Sequence, residues 1–355
     1  MLENLIHSVH KAFGSSHSDS KMPPYLRGMD FSEEEAKKNP LLHVRLFNGN
    51  LCNLHCRYCY TDAPYTGNGD TLRSVEDDDN YRTTSLETKL KMLRLLRNEF
   101  GTKTVMINGK GEPTLEPDFE ALVGGINDLN MIPFVVTNGT TLMAKQGKLW
   151  KMLYENNASI MLKMNSVENR ELESWLFGVN VENARYKNIR RIIESPEGKE
   201  WVGKFAADRR IALNCVLTKH TAGDDGAPSI LKYCRESNVI PWFSWLISDG
   251  RADNDMSVPT DLKKPLMQKL EQTDREYGYR YTMTEDMNLG CTPEMNKNFF
   301  QITAHGRLFL VTKLGDTDSC RKRIDNSCYD CSGMKDCLVN DNIRRKLEQH
   351  DLKVH

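Results

Sequence analysis

Short apolar runs alternate with longer amphipathic segments between residues 42 and 277 of the chain. The apolar runs have the length and alternation of strands, and the segments between them repeat apolar residues at helical spacing. The predicted strands are 42–47, 105–108, 133–137, 159–164, 210–217 and 241–247. The predicted helices are 84–100, 119–129, 148–156, 184–193 and 229–237, the first with a capping box of Thr84 and Glu87. Six strands that alternate with helices predict an α/β fold of parallel βα units.

Four regions of the chain differ in composition, and we interpret them as separate parts. Residues 1–40 are polar and irregular, as expected of an N-terminal arm. Residues 41–250 contain the predicted βα units, and a chain of 355 residues is long enough to give them a large core. Residues 251–290 are predicted to form a linker with one helix over 261–277. Residues 291–355 hold many of the ten cysteines, which predicts a small domain of another kind.

Charge and hydropathy exclude two classes of partner. Lys and Arg number 48 and Asp and Glu 49, so the chain has no basic field for bulk nucleic acid. No apolar stretch approaches the ~20 residues that span a bilayer, so no membrane partner is expected. The N-terminus lacks the apolar core of a secretion signal, and ten cysteines without one indicate metal-binding thiols in a reducing compartment. We therefore expect a soluble, cytoplasmic protein.

Three cysteines follow the first predicted strand on one short loop. Cys52, Cys56 and Cys59 have the spacing C-x3-C-x2-C, which suits three ligands on one face of an iron–sulfur cube. A [4Fe-4S] cluster normally takes four protein ligands, so three leave one iron open to a small molecule. The alternative is a structural zinc site on the C-x2-C pair, which needs a fourth ligand. His55, inside the loop, is poorly placed to supply it.

The same loop resembles the signature of the radical S-adenosylmethionine (SAM) superfamily, including Tyr58 before the last cysteine. A second match is the segment Gly109-Lys110-Gly111-Glu112-Pro113, which resembles the family's Gly-Gly-Glu-Pro element. In the family that element cradles the amino group of SAM, and Lys110 stands here in place of its first glycine. Glycines let backbone groups approach a ligand closely. The resemblance implies that Tyr58, Gly109, Gly111 and Glu112 contact SAM.

Polar residues at the carboxyl ends of later strands are further candidates, because parallel α/β folds bind ligands there. The segment 163–166 resembles the family's Ser-Leu-Asp-Ser element, which hydrogen-bonds the ribose of SAM. Lys163 here replaces its serine and Asn165 its aspartate. The candidate SAM contacts are Asn138, Asn165, Ser166 and Asn214, and the alternative for each is an ordinary hydrogen-bonded turn. Arg251 is a candidate to face the substrate, and no residue is predicted as catalytic.

The cysteines near the C-terminus form a second group. Its C-x2-C-x5-C run resembles the SPASM domain, an appendage of radical SAM enzymes that carries auxiliary [4Fe-4S] clusters. Five cysteines cannot fill two four-ligand clusters, so the resemblance implies one auxiliary cluster, as in the shorter twitch variant. Its ligands would be Cys328, Cys331 and Cys337 with either Cys291 or Cys320 as the fourth. A structural zinc knuckle is the alternative.

The resemblance implies a partial (βα)6 TIM-like barrel and an oxidoreductase-like radical SAM enzyme. An external donor such as flavodoxin or ferredoxin would supply an electron, and SAM would yield a 5′-deoxyadenosyl radical that takes a hydrogen atom from an unactivated carbon. We expect a small sugar- or cyclitol-like metabolite as substrate, with oxidation or rearrangement assisted by the auxiliary cluster. The alternative is modification of a peptide or protein by cross-linking, epimerisation or oxidation. A non-enzymatic zinc-binding protein is the hypothesis of another class.

Overall fold

The computed structural model describes most of the predicted βα region. It covers residues 21, 24–32, 35, 42–49, 51–63, 85–109, 111–144, 147–248 and 250–280, and the backbone of 298–302 and 308–312. Three groups of predictions lie outside the described residues. These are the cap residue Thr84, the substituted Lys110, and the C-terminal cysteines Cys291, Cys320, Cys328, Cys331 and Cys337.

The described strands form a single sheet. In chain order they are β1 His43–Phe47, β2 Thr104–Asn108, β3 Ile132–Thr137, β4 Ser159–Lys163, β5 Ile211–Leu217, β6 Ile240–Trp245, β7 Asn298–Ile302 and β8 Leu308–Thr312. Their order across the sheet is β6-β5-β4-β3-β2-β1-β7-β8. Strands β1 to β6 each pair in parallel with the next, β7 lies parallel to β1, and β8 is antiparallel to β7. The predicted α/β fold with six parallel strands, a partial TIM-like barrel, is confirmed.

Helices connect the strands. They are α1 Leu86–Phe100, α2 Phe119–Asp128, α3 Lys148–Glu155, α4 Arg170–Leu176, α5 Ala184–Glu194, α6 Pro196–Ala207, α7 Ala227–Glu236 and α8 Thr260–Glu276. Helices α4 and α6 were not predicted. Helix α6 follows α5 directly, and Ser195 ends one and caps the other, its side chain accepting from the Gly198 N–H. None of the helices in the described part of the chain combines the length and apolar character that crossing a bilayer requires.

The start of α1 differs from the predicted capping box. The helix begins at Leu86, and the side chain of Ser85 accepts a hydrogen bond from the Thr88 N–H at 3.3 Å. Ser85 therefore holds the N-cap position, because its hydroxyl reaches the third N–H of the helix. The capping box that was predicted with Glu87 was wrong by one residue.

Two apolar clusters lie on opposite faces of the sheet. Residues such as Val44, Ile107 and Leu162 face the helices and form the larger core. The other face carries a smaller cluster of Met106, Phe134, Met161, Ala212, Ile240 and Trp242, which is completed by Leu26, Met29 and Phe31. The N–H of Arg27 donates to Arg209 O, just before β5, so this N-terminal segment covers the amino ends of the strands. The carboxyl ends, where the predicted site residues lie, face the other way.

Candidate active site

The loop after β1 carries the three predicted ligand cysteines. Cys52, Cys56 and Cys59 are half-buried and form no disulfide bond with one another. Burial raises the pKa of Cys52 to about 12, and Glu112 and Cys59 add to that rise. Burial likewise raises the pKa of Cys56, with further contributions from Cys52 and Cys59. The three thiols are thus close enough to repel one another as thiolates, which a cationic metal centre would relieve. Among the described residues no three metal-ligating side chains are gathered closely enough to hold a metal ion, so the assignment of these thiols as ligands rests on their residue type and spacing.

Two glycines bring the end of β2 against the cysteine loop. The N–H of Glu112 donates to Leu51 O at 2.8 Å, and the N–H of Gly111 donates to Gly49 O at 3.3 Å. A Cβ at Gly111 would lie 2.0 Å from Leu51 O, and one at Gly109 would lie 2.5 Å from Gly49 O. Neither position therefore accepts a side chain without displacement of backbone. Both glycines are required by close backbone approach, whatever their part in binding SAM.

Glu112 joins the ends of β2 and β3. Its Oε1 accepts hydrogen bonds from Thr114 Oγ1 at 2.6 Å and Thr137 Oγ1 at 2.7 Å. Its Oε2 accepts from the Asn138 N–H at 2.7 Å. Burial raises the pKa of Glu112, and these donors oppose the rise by favouring the carboxylate. The side chain is 3% exposed and holds Asn138 in place.

Asn138 is the predicted SAM contact that lies beside a ligand cysteine. Its Nδ2 donates to Asn53 Oδ1 at 3.0 Å and lies 3.8 Å from Cys52 Sγ. Its Oδ1 accepts from Thr140 Oγ1 at 2.7 Å. An amide donor next to a ligand sulfur is the kind of contact that tunes a cluster. Sequence reasoning missed Asn53, which lies within the cysteine loop but carries no motif.

Asn165 and Ser166 lie at the carboxyl end of β4 and are both fully buried. Asn165 Nδ2 donates to Tyr58 Oη at 3.0 Å, which ties the cysteine loop to this strand. The N–H groups of Asn165 and Ser166 donate to Glu173 Oε2 at 2.8 and 2.7 Å, and Ser166 Oγ donates to Asp225 O. Burial raises the pKa of Glu173 to about 8. Glu173 was missed because its helix, α4, was missed.

Lys163 and Asn214 are register partners on β4 and β5, on the barrel face of the sheet. Lys163 Nζ donates to Asn214 Oδ1, and Asn214 Nδ2 donates to Trp242 O at 3.1 Å and Ser244 Oγ at 3.0 Å. Burial lowers the pKa of Lys163 to about 8, and nearby thiols, Cys56 first among them, oppose that shift. The barrel thus has a polar layer of ammonium, amide and hydroxyl groups, in which the Lys163 ammonium lies near the Cys56 thiol.

Arg251, after β6, binds the cysteine loop. Its N–H donates to Cys59 O at 2.9 Å and its Nε to Cys56 O at 3.2 Å. Its Nη1 donates to Asp62 Oδ1 and to Ala63 O, each at 2.8 Å. Arg251, which was predicted to face the substrate, therefore positions the cysteine loop, because its guanidinium donates three hydrogen bonds to atoms of that loop.

We expect Arg251→Ala to loosen the cysteine loop. A hydrogen bond from a charged group contributes ~1.5–3 kcal/mol, so amide hydrogen exchange over residues 56–63 of the metal-free protein should accelerate at least about tenfold. The iron content of this variant after anaerobic reconstitution should be lower than that of the unchanged protein. Arg94→Ala, at an exposed position of α1, is the control. Unchanged exchange and unchanged iron content in Arg251→Ala would show that the loop is held by other contacts.

Residues 49–198 match the radical SAM superfamily. The matched stretch includes the cysteine loop, the glycine turn of Glu112, and Asn165. This stretch of the chain is similar to a radical SAM domain. This domain marks the chain as an enzyme, and it implies SAM and a [4Fe-4S] cluster as cofactors.

The fold of this chain is similar to that of Streptococcus suis SuiB. The structure of SuiB bound to S-adenosylmethionine has a TM-score of 0.50 and 15% identity, covering 78% of this chain and 62% of that chain. A second SuiB structure has a TM-score of 0.51 and 14% identity, covering 78% and 62%. SuiB bound to precursor peptide SuiA has a TM-score of 0.49 and 15% identity, covering 78% and 61%. This chain thus spans less than two thirds of the length of SuiB, and the likeness concerns the fold.

Proposed function

We propose that the chain cleaves SAM reductively at a [4Fe-4S] cluster held by Cys52, Cys56 and Cys59. The radical so formed abstracts a hydrogen atom from an unactivated C–H bond of a small sugar- or cyclitol-like metabolite, which is then oxidised or rearranged. The observation that carries this proposal is the C-x3-C-x2-C loop of Cys52, Cys56 and Cys59, which follows β1 at the carboxyl end of a parallel barrel. The polar layer of Lys163, Asn214 and Ser244 lies within the same barrel.

The chain's own residues prepare this site in three ways. Asn138 places an amide donor beside Cys52, and Glu112 fixes the backbone of Asn138. Tyr58 and Asn165 join the cysteine loop to β4. The apolar cluster around Phe134 closes the amino ends of the strands, which keeps water from entering the barrel from that side. When bound, the cluster supplies the electron that breaks a carbon–sulfur bond of SAM, leaving methionine and a 5′-deoxyadenosyl radical.

The barrel interior supports a small polar substrate. Lys163, Asn214 and Ser244 present an ammonium, an amide and a hydroxyl group on neighbouring strands. Such groups donate to and accept from hydroxyl and carbonyl oxygens, the functional groups of sugars and cyclitols. An apolar substrate would offer these groups no hydrogen bond beyond those they already make with one another.

We further infer one auxiliary [4Fe-4S] cluster on the C-terminal cysteines and an external donor of the flavodoxin or ferredoxin type. The C-x2-C-x5-C spacing of Cys328, Cys331 and Cys337 supports the cluster. An auxiliary cluster near the barrel would accept the electron released when a substrate radical is oxidised.

The test is SAM cleavage by the anaerobically reconstituted full-length chain with dithionite as reductant. We expect a brown protein that forms 5′-deoxyadenosine and methionine, and iron content that exceeds one cubane per chain. Deuterium from labelled sugars or cyclitols should appear in the 5′-deoxyadenosine. Transfer from labelled peptides alone would assign a peptide substrate instead. A colourless protein that retains zinc and forms no 5′-deoxyadenosine would overturn the proposal.

A further inference from the structure

An exposed aromatic side chain lies next to the cysteine loop. Trp175, in α4, is 37% exposed, one of the most exposed large apolar side chains of the described residues. The guanidinium carbon of Arg57 lies 4.6 Å from its ring centroid, and the ring of His220 meets it edge-on at 4.6 Å. We call Arg57, Trp175 and His220 the tryptophan patch. Trp and Arg are the residues that most often dominate binding energy at protein interfaces.

A cavity of about 440 Å³ opens beside the tryptophan patch. Its lining combines Arg57 and Trp175 with polar side chains, among them Ser174, Asn180 and Asn183. Among the described residues that line it there is a cation but no carboxylate. Arg57 Nε donates to Trp175 O at 3.1 Å, so its guanidinium is positioned by a neutral group and its charge is not neutralised there. The surface therefore complements an acidic partner.

The tryptophan patch is rigidly joined to the ligand loop. The N–H of Arg57 donates to Leu176 O at 2.9 Å, and the N–H of His55 donates to Phe177 O at 3.2 Å. Gly178 has φ +67°, and a Cβ there would lie 2.0 Å from His55 O, so α4 and the loop are in direct backbone contact. Arg57 is exposed and lies between two ligand cysteines in the chain. A protein bound here would be separated from the cluster by little more than this loop.

We propose that the tryptophan patch docks an acidic one-electron carrier protein of the flavodoxin type. The inference rests on the proposed function, which requires one electron from outside for each SAM cleaved. The reduced carrier loses one electron and the cluster gains it, with no bond made or broken in the transfer. The patch lies on the outside of the loop, whereas the polar layer of Lys163 and Asn214 lies within the barrel. The two surfaces thus suit an electron donor and a substrate respectively.

The experiment compares two reductants on the full-length reconstituted chain. Reduced flavodoxin must dock, whereas dithionite is small and reaches the cluster without a protein interface. We choose Trp175→Ala to remove the aromatic anchor, and Asn180→Glu and Asn180→Lys to change the charge at the exposed cavity rim in opposite directions. Asn98→Glu, exposed near the end of α1, is the matched charge control.

With flavodoxin at low salt, Trp175→Ala should lower kcat/KM for flavodoxin at least about tenfold, the usual size of an anchor residue's effect. Asn180→Glu should lower it and Asn180→Lys should raise it, and both effects should shrink as salt increases. Asn98→Glu should match the unchanged protein. With dithionite, all variants should form 5′-deoxyadenosine at the rate of the unchanged protein.

Three outcomes would overturn the docking proposal. Equal losses with both reductants would show that the patch supports the cluster loop instead. A raised substrate KM with dithionite would show that the patch binds substrate. Flavodoxin-dependent rates that no variant changes would show that the carrier docks elsewhere. If the unchanged protein forms no 5′-deoxyadenosine even with dithionite, the proposed function itself fails, which is a separate result.

Discussion

Cys56→Ala should abolish SAM cleavage, with a loss of more than about 1,000-fold. Mutation of a residue that only orients a metal ligand lowers metal affinity or activity by ~10–100-fold, so loss of a ligand itself should cost more. Cys56 is the middle cysteine of the loop, and its thiol is influenced by both Cys52 and Cys59. Without it the remaining two thiols cannot hold the face of a cubane.

The measurement is formation of 5′-deoxyadenosine from SAM with dithionite, together with iron content and the electron paramagnetic resonance signal of the reduced protein. Cys234→Ala is the matched control, since Cys234 is a fully buried cysteine of α7 within the helix-facing core. It should lose some stability through the small cavity it leaves but keep its iron signal. A Cys56→Ala protein that still cleaves SAM at the original rate would place the cluster elsewhere.

Gly111→Ala should reduce SAM cleavage about 100-fold. The new Cβ would lie 2.0 Å from the backbone oxygen of Leu51. Neither atom can turn away as a flexible side chain could, so the cysteine loop or the end of β2 must move. Displacement of catalytic groups by ~1 Å costs on the order of 100-fold in rate. The hydrogen bond from Glu112 N to Leu51 O would be strained by the same movement.

Gly203→Ala provides the control for this variant. Gly203 lies in α6, and a Cβ there meets nothing within 4 Å. Alanine should therefore stabilise the helix by ~1 kcal/mol and leave SAM cleavage unchanged. Thermal unfolding, iron content and the 5′-deoxyadenosine rate should be compared for both variants. If Gly111→Ala behaves like Gly203→Ala, the close approach of the two loops is not needed for the reaction.

The regular part of the fold was predictable from the sequence. Strand β3 was expected over 133–137 and is Ile132–Thr137, and α8 was expected over 261–277 and is Thr260–Glu276. Both elements have enough apolar residues to show the repeat of a strand or a helix, and burial of that apolar face determines which of the two forms. Helix α4 has seven residues and shows too few turns for a period. Helix α6 was missed although Ser195-Pro196 is a readable helix start.

The cysteine loop and the glycine turn were predictable because their residues are close together in the chain. The contacts that position them were not. Arg251 and Cys56 are separated by 195 residues, and Tyr58 and Asn165 by 107. Only the folded sheet brings β4 and the end of β6 to the loop after β1. An isolated arginine or tyrosine carries no sign of such a partner, since its spacing to that partner depends on every element between them.

The pairing of β7 with β1 bears on any attempt to shorten this protein. A chain cut between residues 280 and 298 would keep the six parallel strands but lose the neighbour of β1. The amide and carbonyl groups along that side of β1 would then face solvent as an open edge, which invites pairing with other molecules. A stand-alone barrel is thus expected to self-associate along the very strand that leads into the cysteine loop. A shortened chain protects that strand on both sides only if it retains β7.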